Sequence, residues 1–455
     1  MKKIKFILRS REYLLYLLIF LLPLQTRWMF KLGELNGGYY EYATYSLYAV
    51  DVLIIVLLLF VFFNLVKVKS QKPASSADGS KVKSDFLWIL IGGLELFIFI
   101  SIAVAPDKLL ALYGYGRFLV GIGLFFAITQ IKYDKIKLYW AIVFSGFIQS
   151  ILAMQQFVSQ QVYGNKWLGM ASQYSSDLGV SVVDNGFRRW LRVYGSLPHP
   201  NILGGFLAIV LLINVILYFN LYKKFKDAIN RNQESGIGNQ AGLLLGLIFF
   251  VINFVGLILT FSRSAWLGFL AGFIILLLLI VKKYGRTGLL NISKFIFIII
   301  ALCCLAGYIL NEPMKTRLGM DSRLENKSIQ ERTGYAADAK EVIKNNWLFG
   351  VGVKNYGLTV HNQINSERSV YEYEPTHNVF LLVWAETGIL GLLAFVILLI
   401  YLLSNALKNE SYGKTTLIFA LTAMMVFDHW WWSLNFGIIL FWLVMGMAYK
   451  KDNSI

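Results

Sequence analysis

The chain has 455 residues, of which 57% are hydrophobic and 15% charged, and its mean hydropathy is +0.59. A soluble core cannot bury that much apolar surface, so the composition excludes a soluble globular protein and indicates an integral membrane protein. The net charge of +17 does not indicate nucleic-acid binding, because the basic residues form short clusters between hydrophobic runs, as the positive-inside rule expects.

Hydrophobic runs predict twelve membrane-spanning helices, each long enough to cross about 30 Å of hydrocarbon at about 1.5 Å per residue. The first run has a basic start and no small-residue cleavage pattern before Trp28, so we interpret it as a retained helix. The tenth is longer than a bilayer requires, and we expect a separate half-helix before Gly388. The predicted spans are 12–25, 43–66, 86–105, 109–131, 137–158, 201–221, 241–260, 264–282, 292–310, 380–404, 414–428 and 433–449.

The distribution of Lys and Arg over the short loops predicts that both termini are cytoplasmic. Two long loops, 159–200 and 311–379, then lie outside, and long loops on a rigid helical body often carry function. We therefore divide the chain into a membrane domain of nine spans (1–310), an extracytoplasmic loop domain (311–379) and a membrane domain of three spans (380–455). The interaction partner common to both membrane domains is the lipid bilayer.

One segment of the second long loop, 331–347, has an amphipathic helical pattern. Its apolar positions fall on one side of a helical wheel, which predicts a helix that packs on the body or lies on the membrane surface. These positions are Ala336, Ala339, Val342, Ile343 and Trp347.

All four histidines, His199, His361, His377 and His429, fall on the outer side in this topology. No two of them have the spacing of metal ligands on a helix or loop, and no zinc motif is present. We therefore predict no metal site.

Arginines mark two other outer positions. Arg188, Arg189 and Arg192 precede the Pro-His-Pro-Asn sequence that ends at Asn201, and Arg263 lies where the seventh and eighth spans meet. A single such arginine can simply reach lipid phosphate, but several planar guanidinium groups at one interface match a diphosphate and hold it without a metal.

Three charged residues are predicted inside the membrane. Asp51, Glu95 and Arg117 lie roughly 12–15 Å below the outer surface, where an isolated charge is costly. We expect an ion pair or triad between the second, third and fourth spans, with a role in a substrate channel as the alternative.

Motifs for nucleotide or metal chemistry are absent from the sequence: it has no Walker loop, no Ser-His-Asp motif and no Asp-x-Asp pair. A lipid-linked donor is the remaining high-energy donor at an outer membrane face, so no cofactor is expected.

The stretch from His377 to Gly391 carries a specific resemblance. It resembles the ligase motif of the O-antigen ligase and polymerase family of bacterial membrane glycosyltransferases. The motif is matched by His377-Asn378, nine residues, Gly388, two residues and Gly391. RVYGSLPHPNILGG, TFSRSAWLG and ERTGYAADAKEVIKNNWLFGVGVKNYG also resemble the family, and the resemblance covers about 190–400.

The resemblance implies a GT-C-like fold of about twelve helices and a metal-free, inverting transfer without cofactors. His377 would be the catalytic base, and Arg192 and Arg263 would bind the diphosphate of an undecaprenyl-diphosphate-linked glycan. The expected location is the bacterial inner membrane with the active site facing the periplasm. Supporting roles are expected for Asn378, Arg332, Arg189 and Asn201.

Three functions follow, in order of preference. The first is a ligase that transfers finished polysaccharide to an acceptor such as lipid A-core. The second is a polymerase that joins lipid-linked repeat units. The third is a polysaccharide or lipid transporter, which the unlike outer loops disfavour because they show no inverted repeat.

Overall fold

The structure is a computed structural model that describes residues 2–69, 80–231, 235–319 and 322–450. Most of these residues are helical, which confirms the prediction of a helical membrane protein. The helices are α1 Lys2–Leu21, α2 Ala49–Lys69, α3 Ser80–Val104, α4 Lys108–Gln130, α5 Lys135–Ser159, α6 Pro200–Asn230, α7 Ser235–Leu259, α8 Arg263–Ile309, α9 Asn311–Gly319, α10 Arg323–Asn346, α11 Tyr356–Gln363, α12 Val379–Lys408, α13 Tyr412–Met425, α14 Trp430–Ser433 and α15 Asn435–Tyr449.

Each of the twelve predicted spans overlaps one of these helices. Among the described residues, seven helices are long and apolar enough to cross a membrane: α3 to α8 and α12. Shorter apolar helices occur at Ala49–Phe63 and Asn435–Tyr449. The backbone of α8 is non-helical at Gly285 (φ 55°, ψ −136°), between the two spans predicted in this region. The count of twelve crossings and the GT-C-like fold stay predictions.

The structure also contains small sheets that the sequence did not lead us to expect. Four antiparallel pairs lie in 27–48 and 161–191, and the Asn36-Gly37 turn of one pair has positive φ at both residues, the signature of a type I′ hairpin. The pairs are β1 Arg27–Lys31 with β4 Tyr45–Tyr48, β2 Glu34–Leu35 with β3 Gly38–Tyr39, β5 Gln161–Val162 with β6 Gln173–Tyr174, and β7 Val182–Asp184 with β8 Arg189–Leu191.

One compact unit comprises Met1–Thr26, Lys132–Lys327 and Thr415–Met424. Within it α5, α6, α7 and α8 pack together, and the most apolar stretch of α6 is completely buried. A helix that is apolar on every side is stable where no side faces water, and here neighbouring segments of the protein surround it. Gly256 lets α7 approach α5 closely, because an added Cβ would lie 2.5 Å from the Ser150 hydroxyl.

The second compact unit comprises Arg27–Ile131, Ser328–Lys414 and Met425–Ile455. Within it α12 packs on α3, and α4 packs on α2 and α15. This partition follows tertiary contacts, and it differs from the three segments predicted from the order of spans and loops.

The helix α12 is broken at Gly388 (φ 73°, ψ 179°), which confirms the predicted half-helix. The segment 347–352 runs along this break and forms hydrogen bonds with it. The Trp347 carbonyl accepts from the Ile389 N–H at 2.9 Å, while the N–H groups of Val351 and Gly352 donate to the carbonyls of residues 385 and 386 at 2.9 and 2.8 Å. Non-helical backbone at membrane depth is tolerated only when its polar groups are satisfied in this way.

The amphipathic helix predicted at 331–347 is present as part of the longer α10. Ala339, Val342 and Ile343 are buried, as the apolar stripe predicted, and Tyr335 extends that stripe. Trp347, however, follows the end of the helix and is 55% exposed. The stripe therefore packs on the body, and Trp347 is not part of it.

The predicted orientation can be tested by cysteine labelling. Ser172 and Ser366 have exposed side chains in the predicted outer loops, and Thr287 is exposed in a predicted cytoplasmic loop. In a background in which Cys303 and Cys304, both exposed, are replaced by Ala, we expect Ser172→Cys and Ser366→Cys to react with an impermeant maleimide in intact spheroplasts. Thr287→Cys should react only after lysis, and the opposite pattern would invert the topology.

Candidate active site

His377 lies immediately before α12, and the first turn of this helix fixes the adjacent residue. Asn378 is the N-cap: its Oδ1 accepts from the Leu381 N–H at 3.0 Å, and its Nδ2 donates to the Val426 carbonyl at 3.2 Å. Among the described residues, no hydrogen bond joins Asn378 to the imidazole of His377. The geometry therefore gives Asn378 a capping role.

Aromatic rings surround the His377 imidazole. Tyr335 of α10 stacks on it with ring centroids 5.8 Å apart and an interplanar angle of 6°. The His429 ring approaches edge-to-face at 5.0 Å. The Nδ1 atom of His377 is buried and has no hydrogen-bond partner among the residues that the structure describes. One ring nitrogen is therefore left for a substrate or an ion.

Glu374 joins the two histidines in a cluster, in which one potential ligand atom of each residue lies within 4.8 Å of the others. Ser433 orients His429: its Oγ lies 2.7 Å from His429 Nδ1 and donates to the His429 carbonyl at 3.2 Å. Because the single hydroxyl proton is used there, Nδ1 of His429 is the donor and Nε2 carries the lone pair. The sequence predicted no metal site, since His429 is far along the chain from His377.

Burial dominates the electrostatics of this cluster. It lowers the pKa of His377, an effect that Asp428 opposes and Arg332 adds to, and it lowers the pKa of His429 to about 3. Both imidazoles are therefore neutral at neutral pH. Burial and neighbouring carboxylates raise the pKa of Glu374 to about 7, and Arg332 opposes that rise. Arg332, predicted as a supporting residue, thus lies close enough to act on all three groups.

Arg192 belongs to the other compact unit and is only 7% exposed. Its Nε donates to the Thr260 carbonyl at 2.9 Å, and one Nη donates to the Asn201 side chain at 2.6 Å. Asn201 lies in the first turn of α6, so the loop and the helix together orient this guanidinium. The structure therefore brings Asn201 and Arg192 together.

Arg263 is the first residue of α8 and contacts a carboxylate. Its guanidinium lies 2.8 Å from Glu325, which also pairs with the buried Arg317. Arg317 is held in turn by the Phe261 carbonyl, to which its Nε donates at 2.8 Å. Two guanidinium forks therefore share one anionic group. Sequence reasoning missed Arg317 and Glu325 because Arg263 and Phe261, which contact them, lie in a separate part of the chain.

Arg189, in β8, has a local role. Its two Nη atoms donate to the carbonyls of Ser176 and Asp177 at 2.8 and 3.1 Å. These bonds hold the loop between β6 and β7 to strand β8. The supporting role predicted for Arg189 at a diphosphate has no counterpart in these contacts.

Comparison with known proteins finds a protein family that matches part of the chain. Residues 248–396 match the family model described as O-antigen ligase. This segment is an O-antigen ligase family domain. It includes Arg263, Arg332 and His377, whereas Arg192 precedes it. No curated protein matches the chain. The family and the apolar helices together indicate a multi-pass membrane enzyme of the ligase or polymerase type of glycosyltransferase.

The O-antigen ligase motif now has a structural explanation. His377 precedes the half-helix, and Gly388 forms the break, where an added Cβ would lie 2.0 Å from the Leu348 carbonyl oxygen. At Gly391 an added Cβ would lie 2.1 Å from the Thr387 hydroxyl. The nine residues between Asn378 and Gly388 thus set the length of the half-helix, about 14 Å at 1.5 Å per residue.

Near the histidine cluster, residues within and outside the O-antigen ligase domain form a buried polar network that the sequence did not reveal. Glu386 of the half-helix accepts from the Lys354 N–H at 2.9 Å and from the Trp432 indole N–H at 2.8 Å. The Lys354 ammonium donates to the Tyr42 carbonyl at 3.2 Å, and burial lowers its pKa to about 8. These residues line a pocket that Pro375 and Ser433 also border.

Two of the predicted intramembrane charges form a bidentate ion pair. Both Nη atoms of Arg117 contact the Asp51 carboxylate at 2.6 Å, and Asn435 accepts from Arg117 Nε at 3.1 Å. Glu95 does not join them: its carboxylate is buried and has no hydrogen-bond partner among the described residues. The predicted group is therefore a pair completed by Asn435 instead of a triad with Glu95.

Breaking this pair should destabilise the protein. Arg117→Met leaves Asp51 buried without its cation, which costs about 3–5 kcal/mol. We expect a lower thermal midpoint in detergent, and the double variant Asp51→Asn, Arg117→Met should recover most of the loss. As a control, Arg27→Met breaks a partly exposed pair with Glu41, at a cost of about 1 kcal/mol or less. Equal losses in the two single variants would contradict this interpretation.

Proposed function

We propose that the protein transfers a polysaccharide from undecaprenyl diphosphate to an acceptor hydroxyl, such as one of lipid A-core, at the outer face of the bacterial cytoplasmic membrane. The transfer is inverting and needs neither metal nor cofactor. This proposal refines the coarser assignment of a membrane glycosyltransferase, which the family match supports.

The observation that carries the proposal is the environment of His377. Its ring is held by Tyr335 and His429, and its Nδ1 is buried and unpartnered among the described residues. A fixed neutral imidazole with a lone pair suits a general base. The acceptor oxygen bonds to the anomeric carbon, its proton passes to His377, and the bond to the diphosphate oxygen breaks with both electrons on the leaving group.

Arginines assist the departure of the diphosphate. Arg263 already pairs with the Glu325 carboxylate, so its guanidinium is placed to bind an anionic group. Arg192 is held in one orientation by its hydrogen bonds to Thr260 and Asn201. Fixed guanidinium groups stabilise the charge that grows on a leaving diphosphate. That these arginines and His377 act on one donor molecule stays a prediction.

The role of His377 can be tested with purified protein, a synthetic polyprenyl-diphosphate glycan and a candidate acceptor, with chelator present. Loss of the general base in His377→Gln should lower turnover by about 10²-fold or more while the donor still binds. The control is His361→Gln, which changes a histidine whose ring contacts Asn362 and Tyr373 and should leave turnover unchanged. Full activity of His377→Gln, or inhibition by the chelator, would contradict the proposal.

The nature of the product in cells distinguishes the three functions. If the protein is a ligase, cells with His377→Gln accumulate full-length polymer on the lipid carrier, because only the final transfer is blocked. Single lipid-linked repeat units would instead indicate a polymerase. Normal polymer transfer with His377→Gln and failure only in a deletion would indicate a transporter. Electrophoresis of extracted lipid-linked glycans measures the difference.

A further inference from the structure

We propose that Glu374, His377 and His429 bind one divalent transition-metal cation, with Zn²⁺ as the ion that suits two imidazoles and one carboxylate. Zinc takes nitrogen and oxygen ligands at about 2.0–2.2 Å, so its ligand atoms lie roughly 3.3 Å apart. The three ligand atoms here lie within 4.8 Å of one another, and small side-chain movements close that gap. Glu374 and His377 are only partly buried, so the cluster is not completely sealed from solvent.

The unpartnered nitrogen of His377 is a second, independent observation. Its Nδ1 is buried and forms no hydrogen bond with any described group. A buried polar atom without a partner costs about 1–3 kcal/mol, so such an atom indicates a missing ligand. One ligand atom from each of Glu374, His377 and His429 lies within 4.8 Å of the other two. We assign Nδ1 as the ligand atom of His377, so that one cation satisfies all three groups.

His429 is prepared as a ligand by its second contact. Its Nδ1 bonds to the Ser433 hydroxyl at 2.7 Å, and Ser433 donates to the His429 carbonyl. This arrangement fixes the tautomer whose Nε2 lone pair is free of the proton. Metal-binding histidines are usually oriented through their other ring nitrogen in this way.

The charges around the cluster permit a cation. Asp428 supplies a carboxylate that acts on both imidazoles, while the Arg332 guanidinium acts in the opposite sense. When a dication displaces the proton of Glu374, the Glu374 and Asp428 carboxylates together balance its charge, and Arg332 reduces its affinity. We therefore expect a moderate affinity rather than that of a structural zinc site.

A metal bound at Nδ1 of His377 occupies the lone pair that glycosyl transfer requires of this residue. Zn²⁺ is then an inhibitor whose removal activates the enzyme, a consequence that rests on the proposed function. Binding of the ion itself does not depend on that function.

The test uses the full chain purified in detergent without a histidine tag, stripped with chelator and then titrated with Zn²⁺ against a chromophoric competitor. The wild type should bind one equivalent of Zn²⁺ and should not bind Mg²⁺ at the same concentration. Glu374→Gln and His429→Ala should each weaken binding at least tenfold, and His361→Ala should not change it. Ser433→Ala should weaken it by about tenfold, and Ser433→Thr should restore it.

The proposal is overturned if the wild type binds no zinc, or if His429→Ala and Ser433→Ala, eluting as folded protein, bind it as the wild type does. The assay contains no glycan, so its result is independent of transferase activity. If one equivalent of zinc binds to the cluster but glycosyl transfer is unchanged, the metal site is supported and the role of His377 as general base is contradicted.

Discussion

The break of α12 at Gly388 is the constraint on which the candidate active site depends. A helix interrupted at membrane depth exposes carbonyl and N–H groups that hydrocarbon cannot satisfy. Residues 347–352 satisfy them, and this requires a backbone approach so close that a Cβ at Gly388 would collide with the Leu348 carbonyl. The packing of residues 347–352 on the break therefore stabilises the half-helix that follows His377. It also places Lys354 beside Glu386.

Buried polarity in this protein is stabilised in two different ways. In the second unit, the buried side chains of Asp51 and Arg117 form a bidentate ion pair, and Asn435 accepts a further hydrogen bond from Arg117. Around His377 the cost of burying a charge is avoided, because burial keeps the imidazoles of His377 and His429 uncharged. A pair of opposite charges rigidifies the fold, whereas a neutral imidazole keeps a lone pair for chemistry.

The lone pair of His377 connects the two proposals. As a base it takes a proton from an acceptor hydroxyl, and as a ligand it takes a metal ion, so the two uses exclude each other at one atom. Tyr335 and His429 hold the ring in place for either use. In the other compact unit, Arg263 and Arg317 share the Glu325 carboxylate.

The membrane class, the positions of the helices, the family and the half-helix before Gly388 could all be predicted from the sequence, because apolar length and motif spacing are local properties of the chain. The sequence also identified His377, Arg192 and Arg263 as candidates through the resemblance. Only the tertiary structure brought His429 and Tyr335 to His377, separated Glu95 from the Asp51 pair, and gave Asn378 and Arg189 their structural roles. The small sheets in 27–48 and 161–191 also appeared only there. The cluster around His377 and the isolation of Glu95 depend on packing between segments far apart in the chain, which no local pattern of residues encodes. The Asn378 cap and the Asn36-Gly37 hairpin are local features.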